Sequence, residues 1–180
     1  MIQRLTERPN AVIFFALSAL AFIIRISFLQ YLQFDGLYGQ DAYAYYDWSR
    51  EFITYISDFQ IPPKFFYWPA GYFIFSAAMN LLCFGSLSAS TLLLSLLSGS
   101  LLGGVMYLLT FELLKNYTET LRAKKYSMLA GLIICFAGSA VRSSIVVMSD
   151  APGIVLLASG MLFLAKYFNE PKRYRLVLSF

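Results

Sequence analysis

The sequence predicts an all-α, polytopic membrane protein: about four transmembrane helices and two extracytoplasmic juxtamembrane helices, forming a single transmembrane domain over 1–180. Three observations predict it. First, 59% of the residues are hydrophobic and only 13% are charged; soluble domains carry charge at about 25% of positions. With a mean hydropathy of +0.64 the chain cannot hide its apolar surface within itself, so lipid must be its solvent. Second, five apolar segments stand out, at about 9–33, 68–84, 91–113, 127–148 and 151–168. Third, ten of the fourteen basic residues fall in three clusters: Arg4/Arg8, Lys115/Arg122/Lys124/Lys125 and Lys166/Lys172/Arg173/Arg175.

The first segment follows Arg4 and Arg8 and has no small-residue cleavage site after it, so it reads as a retained signal anchor. Over 41–56, Tyr45, Trp48, Ser49, Phe52 and Ile56 recur at helical spacing, with Asp47, Arg50, Glu51 and Asp58 toward water. An aromatic amphipathic helix of this kind suits the headgroup zone. Ile61-Pro62-Pro63 breaks the chain next. The segment 68–84 is the weakest crossing candidate, because it holds Pro69, Gly71, Ser76 and Asn80. Charge decides its place: cytoplasmic loops collect Lys and Arg. If 68–84 spans, the second and third basic clusters lie outside; if it lies flat, all three fall inside. The sequence therefore predicts an extracytoplasmic loop over 34–90 with two surface helices, and a cytoplasmic N-terminus. Asp35, Asp41, Asp47, Glu51, Asp58 and Asp150 then face outward together.

The third segment carries Gly99-x-x-x-Gly103, a close-packing spacing in lipid. Cys83 and Cys135 lie in apolar runs and read as inert thiols. Asn116-Tyr117-Thr118 matches a glycosylation sequon but falls on the cytoplasmic side. Lys172-Arg173-Tyr174-Arg175 precedes Leu176–Phe180, which reads as the opening of another membrane helix; the chain is expected to be the N-terminal part of a longer protein.

Function classes narrow quickly. There is no histidine, so neutral-pH proton transfer falls to carboxylates, lysines or tyrosines, and histidine-built zinc sites are excluded. Nothing resembles a basic nucleic-acid surface. On the outer face stand Asp41 with Tyr45 one turn later, the stretch Phe65-Phe66-Tyr67-Trp68-Pro69-Ala70-Gly71-Tyr72, Asp150 before Pro152, and Arg25 in the outer half of the first helix. The residues alone leave simpler readings open. Asp41 and Asp150 both suit helix N-termini, and Arg25 and Arg142 can snorkel.

The order of these features resembles the N-terminal region of the glycosyltransferase-C superfamily, nearest the polyprenyl-phosphate-sugar-dependent transferases such as protein O-mannosyltransferases and aminoarabinose transferases. The resemblance rests on Asp41, Tyr45 and Ser49-Arg50-Glu51, on Trp68-Pro69-Ala70-Gly71-Tyr72, and on Ser149-Asp150-Ala151-Pro152, and it covers nearly the whole chain. Two departures stand out. Ala42 occupies a position where many relatives carry a second acid, and Tyr67 and Trp68 stand where some carry lysine. The resemblance implies transfer of a hexosyl or pentosyl group from a lipid-linked donor to an acceptor. Asp41 would be the catalytic base and Asp150 a second carboxylate. Tyr45, Arg25, Lys64, Tyr72 and Arg142 would bind substrate, and any divalent metal would sit on Asp41 and Asp150. The alternative is a non-catalytic membrane subunit or transporter fragment whose polar residues line a pathway.

Overall fold

The computed structural model describes residues 9–58, 70–83 and 86–170. Lys64, the Ile61-Pro62-Pro63 break, Trp68-Pro69 and the basic residues near both ends lie outside the described residues. Within them the fold is all-helical: α1 (Asn10–Leu32), α2 (Gly39–Ser57), α3 (Ala70–Leu82), α4 (Leu87–Leu114), α5 (Thr120–Phe136), α6 (Gly138–Ile145) and α7 (Asp150–Asn169). Helices α1, α4 and α7 are long and apolar enough to cross a membrane, and α5 with α6 makes a fourth crossing if the bent pair is one span. The chain is thus a multi-pass membrane protein.

The expected crossing at 127–148 needs correction. The helix begins earlier, at Thr120, and breaks at Ala137; α6 departs at 54° from α5. Ala137 takes an extended conformation while its N–H still bonds Ile133 O at 2.8 Å. Beyond it, Gly138-Ser139-Ala140-Val141-Arg142-Ser143-Ser144 has too few apolar side chains to continue a lipid-facing rod, and glycine is a poor helix former. Residues 146–149 are not helical at all.

The weak 68–84 segment becomes α3, whose 13 residues reach about 20 Å at ~1.5 Å per residue, short of a bilayer core. It folds back on the start of α4. The stripe Tyr72, Ser76 and Asn80 faces inward, each less than a tenth exposed. On α2, Ala42, Tyr45 and Ser49 are buried while Asp47, Arg50 and Glu51 face out, as the periodicity predicts; Ile56 stays half exposed.

Helix α4 is the central post, packed by α1, α3, α5, α6 and α7. Lipid tails are as apolar as leucine, so helices associate in a membrane by close packing of small residues. At Gly103 a Cβ would come within 2.8 Å of Cys135 Sγ, and at Gly131 a Cβ would come within 2.9 Å of Gly103 O. Helices α1, α4 and α5 meet there almost backbone to backbone.

The two ends of the bundle differ in charge. At one end Tyr107 Oη donates to Asn10 Oδ1 (2.8 Å), Lys115 pairs with Glu112 (2.8 Å) and Glu170 (3.5 Å), and Asn169 Nδ2 donates to Glu112 O (2.8 Å). Lys115, Arg122, Lys124, Lys125 and Lys166 belong to this end. The other end gathers the C-terminus of α1, both short helices α2 and α3, and the starts of α4 and α7. It carries Asp35, Asp41, Asp47, Glu51, Asp58 and Asp150.

Candidate functional site

The acidic end holds a cavity of about 830 Å³ whose polar wall includes Asp41, Asp150, Arg142, Ser139 and Ser143. Three helices begin at its rim. Gly39, Gln40 and Asp41 open α2, Gly138 and Ser139 open α6, and Asp150 opens α7. The first N–H groups of a helix have no partner within it and carry partial positive charge, so the three starts bring partial positive charge to a rim that also holds two carboxylates. Asp41 and Asp150 sit in such first turns; neither is the capping residue, which is Tyr38 for α2 and Ser149 for α7.

Two irregular segments bring these starts together. In 33–38 the chain leaves α1 through Gln33 at φ 50°, and Asp35 Oδ1 accepts the Leu37 N–H (2.9 Å). Gly36 then takes φ +90°, and a Cβ on it would come within 2.8 Å of Leu92 Cδ1. Gly36 O accepts the Val147 N–H (2.9 Å), which docks this loop on the second irregular segment, 146–149. That segment is held from other sides as well. Ser95 Oγ of α4 bonds Met148 O (3.3 Å) and the Met148 N–H (3.4 Å), and Ser149 Oγ meets Tyr45 Oη of α2 at 2.6 Å. Non-helical backbone persists among membrane helices where protein supplies its hydrogen bonds or it lines a cavity; here both conditions hold.

Tyr45 lies behind the carboxylates, not among the lining side chains. Burial above all pushes its phenol up from the ordinary range; the Ser149 hydrogen bond pulls the other way, and Asp150 and then Asp41 add to the rise. One hydroxyl thus feels both acids. Tyr72 lies a layer deeper, its ring centroid 4.9 Å from that of Tyr45, with its hydroxyl on Thr91 O (2.9 Å) and Ser95 Oγ (3.2 Å). Burial likewise pushes its phenol well above the ordinary range.

Comparison with protein-family models, with curated proteins and with solved structures finds no match for this chain. The functional reading therefore rests on the chain's own residues.

Of the residues singled out in the sequence, Asp41, Asp150 and Arg142 share the cavity. Tyr45, Tyr72 and Arg25 are not among its lining residues; they stand in the packing behind. Arg25 is wholly buried, with Nε on Ser144 Oγ (2.6 Å), Nη1 on Ala21 O (3.0 Å) and Nη2 on Ala140 O (3.4 Å). It has no carboxylate partner among the described residues. Burying such a charge costs several kcal/mol; two hydrogen bonds between helices, at about 0.6–2 kcal/mol each, and one within α1 offset that only in part. Arg142, by contrast, is exposed, and its guanidinium lies 5.8 Å from the Tyr38 ring centroid.

Sequence reasoning missed Tyr38, Gln40, Ser139 and Ser143, which also line the cavity. The spacing of Ser139, Arg142 and Ser143 is a polar helical face, legible only once that stretch is separated from the crossing before it. For a metal, no group of three His, Cys, Asp or Glu side chains comes together among the described residues. Asp41 and Asp150 are the two carboxylates of the cavity, the donor type of a magnesium-type ion, which takes one or two carboxylates and completes its shell with water and substrate phosphate. They do not make a closed protein cage.

Proposed function

We propose that the chain is an integral-membrane glycosyltransferase module that moves a sugar from a polyprenyl-phosphate donor to an acceptor on the extracytoplasmic face. The observation that carries the reading is the meeting of Asp41, Asp150 and Arg142 in one cavity at the acidic end of the bundle, beside two surface helices. The charge difference between the two ends supports a cytoplasmic N-terminus through the positive-inside rule. Membrane lipids surround the module, and no nucleic-acid partner is involved.

The chemistry follows from the residue types. The acceptor hydroxyl or amine attacks the anomeric carbon, forming the new bond there as the bond from that carbon to the phosphate oxygen breaks. Asp41 takes the acceptor's proton, and a base in this role contributes ~10²–10⁴-fold. The polyprenyl phosphate leaves as an anion, and Arg142 with the helix starts around it stabilises the developing charge. Asp150 orients the acceptor from the opposite helix start. Asp41 and Asp150 would be the residues to hold a divalent ion, which would supply charge neutralisation at the phosphate.

The alternative, a transporter or non-catalytic subunit, wants ionisable groups along a path through the bilayer. Arg25 is such a group, but it is sealed by its neighbours.

Asp41→Asn tests the proposal. The full chain in nanodiscs is offered a panel of polyprenyl-phosphate-linked sugars, and release of free polyprenyl phosphate is followed, since that product is common to every sugar and acceptor. Release should fall by about 10²-fold or more with insertion unchanged; release at the parent rate would remove Asp41 as base.

A further inference from the structure

Arg25 is the largest fully buried side chain among the described residues, and the proposed reaction does not use it. Its cross-helix bonds all end on one element. Nε donates to Ser144 Oγ and Nη2 to Ala140 O, both on α6, while Nη1 returns to its own helix at Ala21 O. The Ser144 hydroxyl extends the cluster to Ala140 O (2.7 Å) and Val141 O (2.8 Å). Gly99 of α4 makes the room, since a Cβ there would overlap the Ser144 side chain and come within 3.3 Å of Arg25 Nε.

Helix α6 is the part of the site that most needs such a hold. It has eight residues and follows a 54° bend, and it ends in the irregular segment 146–149. A rotation of this short rod would carry Ser139, Arg142 and Ser143 out of the cavity wall together. Val141, Ser144 and Ile145 form its buried side. Of these, Val141 and Ile145 are apolar and set no rotation by direction; the planar guanidinium, bonded to a hydroxyl and a carbonyl a turn apart, does.

We infer that Arg25 is a positioning residue: a buried guanidinium that fixes the rotational setting of α6 and thereby holds Arg142, Ser139 and Ser143 to the cavity. Its bearing on catalysis rests on the reading of that cavity as the transfer site, but its effect on α6 is measurable without any turnover.

The experiment uses the full chain in nanodiscs with Cys83→Ser. Two reporter thiols are introduced one at a time, Ser143→Cys on α6 and Gln40→Cys on α2, and their reaction rates with a membrane-impermeant maleimide are compared. Arg25→Met should change the rate at the Ser143→Cys reporter by about tenfold or more while leaving the Gln40→Cys reporter within about twofold, because only α6 is released. Ser144→Ala, which removes the guanidinium's partner and leaves Arg25 in place, should act in the same direction. Arg25→Lys keeps the charge on a single nitrogen but not the fork, and should fall between. Unchanged rates at Ser143→Cys in both Arg25→Met and Ser144→Ala overturn the inference. So does an equal change at both reporters, which would mark Arg25 as a general support of the bundle. If Arg25→Met does not fold, the Ser144→Ala comparison decides alone. Failure of the Asp41→Asn test would leave these rates untouched, so the two claims fail separately.

Discussion

Tyr45 shows how one hydroxyl can tie two catalytic candidates into a single site. Its bond to Ser149 joins the helix that carries Asp41 to the residue before Asp150. Tyr45→Phe keeps the ring contacts with Tyr72 and Phe73 and removes the bond to Ser149. Because Ser149 is partly exposed and water can take its hydroxyl, the loss should be near the lower end for a buried hydrogen bond, about 1 kcal/mol. The pH dependence has a definite sign. A phenol pushed up in the folded chain contributes stability that is whole below the ordinary tyrosine value of about 10, and that contribution fades as pH rises past it. Thermal midpoints of the parent and Tyr45→Phe should therefore differ by a constant amount from neutral pH to about 10 and draw together above it. A gap that widens in alkali would contradict the assigned direction. The acid before the cavity was legible as a residue type at a helix start. Asp150 was legible as its companion through the order of charge and the family resemblance, but the shared cavity was not, since the two acids are separated by more than a hundred positions that no local pattern links.

At the scale of elements, the turn after α1 and the broken crossing of α5 and α6 are what build the cavity. Gly36 has two reasons to be glycine: its φ of +90° and the side chain of Leu92 against it. Gly36→Ala should lower stability by about 2–5 kcal/mol, from left-handed strain of ~1–2 and overpacking of ~1–3. It should also loosen 146–149, because Gly36 O holds Val147. Thermal unfolding in nanodiscs measures the first effect and amide exchange at Val147 the second; an unchanged Val147 exchange rate would show that the loop does not hold that segment. The amphipathic helix α2 was readable from its period because one face is wet and aromatic. The bend at Ala137 was not, because the apolar count runs on from α5 and hides a stretch of serines and one arginine inside a window of crossing length.

For the whole molecule, the disposition of charge is the checkable property. If the acidic end is extracytoplasmic, a thiol in Asp58→Cys should react with an impermeant reagent from outside intact cells, and one in Thr118→Cys only after the membrane is opened. The reverse pattern would place the cavity on the cytoplasmic side and remove the proposed donor geometry. Neither substitution touches the cavity wall.

Composition and charge order alone determined that lipid is the solvent, that helices are the elements, and that six acids share one end. Those properties are sums over local sequence, so no folded partner is needed to read them. The tertiary structure alone decided which polar residues reach the cavity and which stand behind it. In a membrane bundle the lipid-facing and core-facing sides of a helix are both apolar, so periodicity cannot say which side turns inward. Small residues decide it by admitting close contact, as Gly99 does for Arg25 and Ser144. That choice places Arg142 at the cavity and Arg25 behind it, although the sequence offers both as membrane-level cations of equal standing.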